Sequence, residues 1–259
     1  MDHEKLKRLT SPLCAMVFCA EETVSTNTDA RSLIARYPAA DSILITADRQ
    51  SGGRGRQGKS FHSPEGGLYM TLVMKTGAPL SSVVGVTSCA AVAAARALAE
   101  QKIPCGIKWV NDIYLNGAKL AGILVESVNN YEAMRSEYVI VGIGMNLARS
   151  IFPDGVNAVS LEEAGYPADA EELCAAIVRE LLNIRANGFD FALYADEYRS
   201  RSIVLGKEIV YLRNGETTAG TAEAIDDRGG LVVRVGNSLH TLDSGEISLR
   251  IGNPEGGRV

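Results

Sequence analysis

Four cations, Arg49, Arg54, Arg56 and Lys59, stand among four glycines, Gly52, Gly53, Gly55 and Gly58, in the stretch RQSGGRGRQGKSF. Guanidinium groups on a pliant backbone suit a phosphate or a carboxylate. Glycine at this density carries an entropic cost that an idle loop has no reason to bear. The stretch therefore reads as an anion-binding loop rather than a solvated run of charge. From Gly53 it also satisfies G-x-x-x-x-G-K-[ST], with Gly58, Lys59 and Ser60 in the fixed places. That pattern cradles phosphate only where its lysine and hydroxyl residue begin a helix. Pro64, Gly66 and Gly67 follow too soon for one, and the apolar run ending in Asp, ILITAD, lies upstream instead of downstream. The loop handles anions, but it is not a P-loop.

A second set of charges lies in GIKWVNDIYLNGAKLAGILVES (106–127), where Lys108, Asn111 and Asp112 precede Asn116-Gly117 and Lys119 follows it. Asn-Gly between two strand-like runs is the strongest short hairpin signal. The elements that must carry these residues follow from periodicity. STNTDARSLIARY opens a helix, with Thr26-x-x-Asp29 resembling a capping box. Residues 42–47, 67–74 and 137–147 read as buried strands, and the apolar run around 13–20 as a strand leading into Val24 and Ser25. The Ala-rich 81–101 reads as a helix buried on all sides, with further helical patterns at 160–164, 169–187 and 190–200. From Ile203, short alternating runs separated by Asn-Gly, Asp-Asp-Arg-Gly-Gly and Gly-Asn have the grammar of a small five-stranded antiparallel barrel. The expected architecture is an α/β (α+β) mixed-sheet domain over 1–202 and a small β-barrel domain over 203–259.

Composition narrows the chemistry. A net charge of −5 over 259 residues offers nucleic acid and anionic membranes no general attraction, so any cationic site is local. Five scattered cysteines without C-x-x-C and three isolated histidines argue against a disulfide framework or a zinc site, and for reduced thiols in the cytoplasm. Asp2, Glu4 and Pro12 spoil the start as a signal peptide, and no run approaches the length of a membrane span.

Taken in order, STN (25–27), GGRGRQGKSF (52–61), KWVNDIYL (108–115), KLAGILVE (119–126), GIGMN (142–146) and GEISLR (245–250) resemble a biotin–protein ligase over about residues 20–250. Such an enzyme joins a carboxylate to an amine in water by activating it with ATP. The resemblance implies a biotin/lipoate ligase-like catalytic domain, an SH3-like C-terminal barrel, and biotin and ATP as substrates with magnesium. It implies release of pyrophosphate from biotinyl-5′-AMP, then transfer to a lysine of a biotin carboxyl carrier protein domain.

Carried over position by position, Ser25, Thr26 and Asn27 correspond to the segment that meets the biotin head group, although a helix cap explains them equally well. Gln50 corresponds to a biotin-contacting glutamine, and Gly53, Arg54, Gly55 and Arg56 to the loop that closes over biotin and adenylate. Arg54 would hold phosphate and carboxylate, and Arg56 the intermediate. Lys59 and Phe61 stand where such enzymes more often have Arg and Trp, and Val110 where proline is usual. A lysine lacks the bidentate fork and a phenylalanine stacks with less area. Lys108, Asn111, Asp112 and Asn146 correspond to adenylate contacts, with Asp112 open to two roles, magnesium ligand or orienter of the incoming lysine. Lys119 corresponds to the lysine that bridges biotin carboxylate and α-phosphate, so Lys119, Arg54 and Asp112 are the expected catalytic set. Gly122, Gly142 and Gly144 would let the backbone approach a ligand closely.

Some such enzymes carry an N-terminal winged-helix domain and repress transcription. Only 24 residues precede Ser25, and with the acidic charge a short form that does not bind DNA is expected. A homodimer is common among these enzymes and compatible with the strand-rich core. Two rivals remain distinguishable in principle. A lipoate–protein ligase would share the core, and a biotin sensor without catalysis would have no need of Lys119, Arg54 and Asp112.

Overall fold

The structure, a computed structural model, describes residues 1–213, 216–243 and 247–249. In chain order its elements are α1 (His3–Thr10), β1 (Met16–Thr23), α2 (Thr26–Arg36), β2 (Ser42–Gln50), β3 (Leu68–Lys75), α3 (Val86–Glu100), β4 (Gly106–Lys108), β5 (Asp112–Leu115), β6 (Ala118–Asn130) and β7 (Arg135–Met145). Then follow α4 (Ala170–Ala186), α5 (Ala195–Arg201), β8 (Glu208–Arg213), β9 (Glu216–Ile225), β10 (Leu231–Val235), β11 (Ser238–Leu242) and β12 (Ile247–Leu249). The first seven strands form one mixed sheet in the order β1-β2-β3-β7-β6-β5-β4, parallel only between β1 and β2.

Strand periodicity of two divides this sheet into two faces. On one, Leu44, Met70, Leu72, Val141 and Ile143 pack with α3 and α4 in the larger core. The alternate residues Ile43, Ile45, Val73, Tyr138 and Ile140 pack with Ala30 and Ile34 of α2 on the other. The second face changes character along β7, where Tyr138 and Ile140 give way to Gly142 and Gly144. Thr71 pairs with Gly142, and Gly142 with Leu124; Gly144 pairs with Gly122. Past the end of α2 the sheet therefore presents backbone where it would otherwise present side chains. A cleft forms over these glycines, with Asn27 set against Gly142 and Phe61 against Gly122 and Gly144.

Several sequence readings are corrected. Residues 160–164 make a single hydrogen-bonded turn, with Ser160 and Glu163 bonded to each other at 2.9 Å, and Gly165 at φ 80° ends it. Helix α3 starts at Val86 and not at 81. Helix α2 begins where expected, but Ser25 makes no side-chain cap, and Asp29 accepts from Thr23 Oγ1 at 2.6 Å instead of closing a capping box. Helix α1 was not anticipated. Asp2 caps it by accepting from the amides of Glu4 and Lys5, and buried Leu6 anchors it against α4. The C-terminal strands form one antiparallel sheet in the order β11-β10-β9-β8-β12. The five antiparallel strands expected for the small barrel are present, and among the described residues β11 and β12 do not pair to close it. The Asn214-Gly215 turn and Gly245, Glu246 and Arg250 of the terminal motif lie outside the described residues.

Candidate active site

The cleft has an empty volume of about 970 Å³, open solvent at its mouth included. Its floor is a row of paired residues on one sheet face: Lys108 on β4, Asp112 on β5, Gly122 on β6 and Gly144 on β7. Lys119 joins this face through an irregularity in register. Ile113 pairs with Ala121, whereas the next residue, Tyr114, pairs with Lys119, so a bulge between them turns Lys119 onto the side of Asp112 and Gly122. Without it, strict alternation from Gly122 would point position 119 to the opposite face. The turn Asn116-Gly117 that precedes it has the two positive φ angles, 51° and 80°, that the hairpin reading requires.

Lys119 Nζ lies 2.7 Å from Asp112 Oδ1 and 6.0 Å from the centre of the Phe61 ring. Both members of the pair are partly buried, so the attraction is screened less than at an open surface. Phe61 lies flat against the glycines: a Cβ added to Gly144 would stand 2.5 Å from its Cε1, and one on Gly122 3.1 Å from its Cε2. These two glycines make room for a side chain of the site as well as for any ligand.

The cationic loop is a hairpin over the cleft. Gln50 N donates to Ser63 O at 3.0 Å, Phe61 N to Gly53 O at 2.9 Å and Gly55 N to Lys59 O at 2.7 Å. Its tip turns through Gln57 and Gly58, both at positive φ. No helix starts at Lys59 or Ser60, in keeping with the rejection of a P-loop. Arg56 Nη1 donates to Asn111 Oδ1 at 3.2 Å, while Asn111 Nδ2 donates to Ile123 O, tying the hairpin to β6. Arg54, Arg56, Lys59, Lys108 and Lys119 line the cleft against one carboxylate there among the described residues, Asp112. A chain of net charge −5 thus holds a locally cationic cleft.

The opposite wall is the start of α2. Gln50 Oε1 accepts from Thr26 N at 3.0 Å and from Thr26 Oγ1 at 3.2 Å, supplying the cap that Ser25 does not. Thr71 Oγ1 lies 2.7 Å from Asn27 Oδ1. Ser25, Thr26 and Asn27 are all buried, and all line the cleft with Gln50.

Of the loop cations, Arg49 turns away to Glu22 at 2.7 Å, and of the site residues carried over by resemblance, two stand apart from this cleft. Gly53 is hemmed in by the hairpin, where a Cβ would meet Phe61 O and Ser63 Oγ at 2.4 Å each. Asn146 points its amide at the carbonyls of Val159 (3.2 Å) and Lys119 (3.5 Å). The structure adds Gln57, Ser60, Trp109, Leu124 and Ile247 to the lining. Behind the lining stands Glu126, bonded to Asn27; the signal available in the sequence was its charge after the apolar run LAGILV. Trp109, joined to Val110 by a cis peptide bond, donates Nε1–H to Gly229 O at 2.9 Å and so docks the C-terminal sheet behind the cleft. No helix among the described residues is long and apolar enough to cross a membrane.

Comparison with known proteins agrees with this geometry. Residues 20–146 match the Biotin/lipoate A/B protein ligase family, and residues 204–250 the Biotin protein ligase C terminal domain. The biotin--[acetyl-CoA-carboxylase] ligase of Paracoccus denitrificans is 30% identical over 239 residues, 87% of this chain and 97% of that one. The bifunctional ligase/repressor BirA of Bacillus subtilis is 29% identical over 83% of this chain and 69% of its own length. The biotin protein ligase of Aquifex aeolicus, solved in complex with biotin and ATP, superposes with a TM-score of 0.71 at 25% identity, covering 90% of this chain and 98% of that one. The chain belongs to the biotin/lipoate A/B protein ligase family, on its biotin–protein ligase side.

Proposed function

We propose that this protein is an ATP-dependent biotin–protein ligase, which makes biotinyl-5′-AMP and transfers the biotinyl group to a lysine of a biotin carboxyl carrier domain. The observation that supports this most is the pairing of Lys119 with Asp112 beside the glycine floor, beneath a cationic hairpin. In the first step a carboxylate oxygen of biotin attacks the α-phosphorus of ATP, and the bond to the bridging oxygen breaks, releasing pyrophosphate. Anion approaches anion, so positioning and charge neutralisation carry the catalysis. Lys119 holds the biotin carboxylate against the α-phosphate, Arg54 and Arg56 close over the two, and Lys59 and Lys108 offset the remaining phosphate charge. In the second step the acceptor amine attacks the acyl carbon, AMP leaves with the bonding electrons, and the amine loses its proton.

Asp112 keeps the Lys119 ammonium turned into the cleft. Among the described residues it is also the one cleft-lining carboxylate that could reach magnesium, which commonly binds through one or two carboxylates together with substrate phosphates. Among the described residues no cluster of three or more His, Cys, Asp or Glu could hold a metal. Magnesium would therefore come in on the triphosphate and screen its charge. The buried Ser25–Thr26–Asn27 corner and Gln50 take the biotin head group. We divide the chain into a catalytic unit, 1–202, and a C-terminal unit, 203–259, that backs the cleft through Trp109. DNA and membranes have no part in this reading, which places the protein in the cytoplasm.

The test is to incubate the protein with ATP, magnesium, biotin and a biotin carboxyl carrier domain, and to weigh the acceptor by mass spectrometry. One biotinyl group on one lysine is the expected product. A lipoyl group accepted in preference to biotin would move the protein to the lipoate side of the family.

A further inference from the structure

Glu126 lies on β6, two residues beyond Leu124 on the cleft face, and its side chain is 16% exposed. It accepts from Asn27 Nδ2 at 2.9 Å and from Arg31 at 3.0 Å, and Arg54 Nη1 stands 3.8 Å away. Burial pushes its carboxyl up, but the Asn27 and Arg31 hydrogen bonds and the charges of Arg31 and Arg54 outweigh that, holding it below its ordinary value. It is a carboxylate, able only to accept.

This decides which way the Asn27 amide faces. Its NH2 must turn to Glu126, and its oxygen then turns to Thr71 Oγ1 at 2.7 Å. Gly142 allows the arrangement, since a Cβ there would stand 1.9 Å from Asn27 Oδ1. With one N–H given to Glu126 and one lone pair to Thr71, the amide keeps one donor and one acceptor. A cyclic urea, which carries a carbonyl and N–H groups, is complementary to that remainder.

We propose that Glu126 is a positioning residue for biotin recognition, acting through Asn27 by fixing the direction of its amide. This rests on the biotin-activating reading above. Replacing Glu126 by leucine removes the acceptor while keeping bulk; replacing it by glutamine removes the charge while keeping an acceptor. Biotin affinity is read directly by calorimetry on the full chain without ATP, alongside biotin-dependent pyrophosphate exchange. Glu126→Leu should weaken biotin binding about 10-fold, the scale of one hydrogen bond to a charged group. Glu126→Gln should stay within about threefold of the parent, as a rescue by the remaining acceptor. Asn27→Ala combined with Glu126→Leu should bind no more weakly than Asn27→Ala alone, because Glu126 acts through Asn27.

Parental affinity in Glu126→Leu, a 10-fold loss in Glu126→Gln, or additive losses in the double variant would each overturn the proposal. Should Glu126→Leu fail to fold, Glu126→Ala, alone and combined with Asn27→Ala, takes its place under the same criteria. A parent that binds biotin yet shows no exchange would refute the ligase reading alone, leaving the Glu126 comparison intact. A parent that does not bind biotin would refute both.

Discussion

At the scale of single residues the account turns on Lys119. Its ammonium faces Asp112 in a partly buried cleft and has no neighbour of the same kind in the hairpin turn to replace it. Lys119→Ala should lower the adenylation rate about 100-fold or more, the usual cost of removing one preorganised charge from a developing anion. Gly142→Ala tests the floor: its methyl would collide with Asn27 Oδ1 at 1.9 Å, so biotin KM should rise about 10-fold or more while the protein stays folded. A biotin KM unchanged in Gly142→Ala would show that Asn27 is not where the head group binds. That Lys119, Arg54 and Asp112 belong to one site was expected from the resemblance of their segments to a biotin–protein ligase, and all three line the cleft. The facing of Lys119 was not legible in the sequence, since the bulge at Ile113–Tyr114 that turns it is a register event between two strands, invisible in either alone. Glu126 escaped notice for a related reason. Its partners are 99, 95 and 72 positions away in the chain, at Asn27, Arg31 and Arg54.

At the scale of elements the hairpin over residues 50–63 matters most. Its two arms are joined by short backbone hydrogen bonds, and Gly53 lets them approach: a methyl group at this position would stand 2.4 Å from both Phe61 O and Ser63 Oγ. Gly53→Ala should open the hairpin, which limited proteolysis would detect as faster cleavage between residues 50 and 63 with the rest of the chain still resistant. Equal cleavage of parent and variant would mean that the hairpin tolerates the methyl by shifting elsewhere. The strands of both sheets and the long helices were legible because burial on two faces or one stripe leaves a period. Helix α1 was harder to see: it holds one fully buried apolar side chain, Leu6, and otherwise depends on the Asp2 cap and on Lys5 with Asp169 and Glu171 of the distant α4 region. The turn at 160–164 has the composition of a helix but only one turn's length before Gly165, too short to propagate.

At the scale of the whole molecule, the C-terminal sheet shares the larger core, and two side chains add hydrogen bonds to it. Trp109 Nε1 donates to Gly229 O, and Arg199 reaches Ile225 O at 2.8 Å and Asp227 at 2.6 Å. Trp109→Phe leaves the Gly229 carbonyl without its partner and should cost about 1–3 kcal/mol in urea unfolding. Because Trp109 adjoins the Lys108–Asp112 segment, ATP KM should rise more than biotin KM in that variant. Acid stability has a definite sign. Burial pushes Glu197 up, but hydrogen bonds from Arg96 and Arg201 outweigh it and hold the carboxyl below its ordinary value, as for Glu126. A depressed folded value means a contribution that is complete above the unfolded value, about 4.3, and lost as pH falls through the lower folded one. The melting temperature should therefore be level in this respect above about pH 5 and fall below it, and Glu197→Gln should flatten that fall. A pH dependence identical in parent and variant would remove Glu197 from the explanation.

Activation of biotin with ATP in this cleft is measured by biotin-dependent exchange of labelled pyrophosphate into ATP, run with the parent and with Lys119→Ala. The expected exchange needs biotin, is not supported by lipoate, and falls about 100-fold or more in the variant. Exchange that proceeds without biotin, or that survives the loss of Lys119 undiminished, would contradict biotin activation in this cleft.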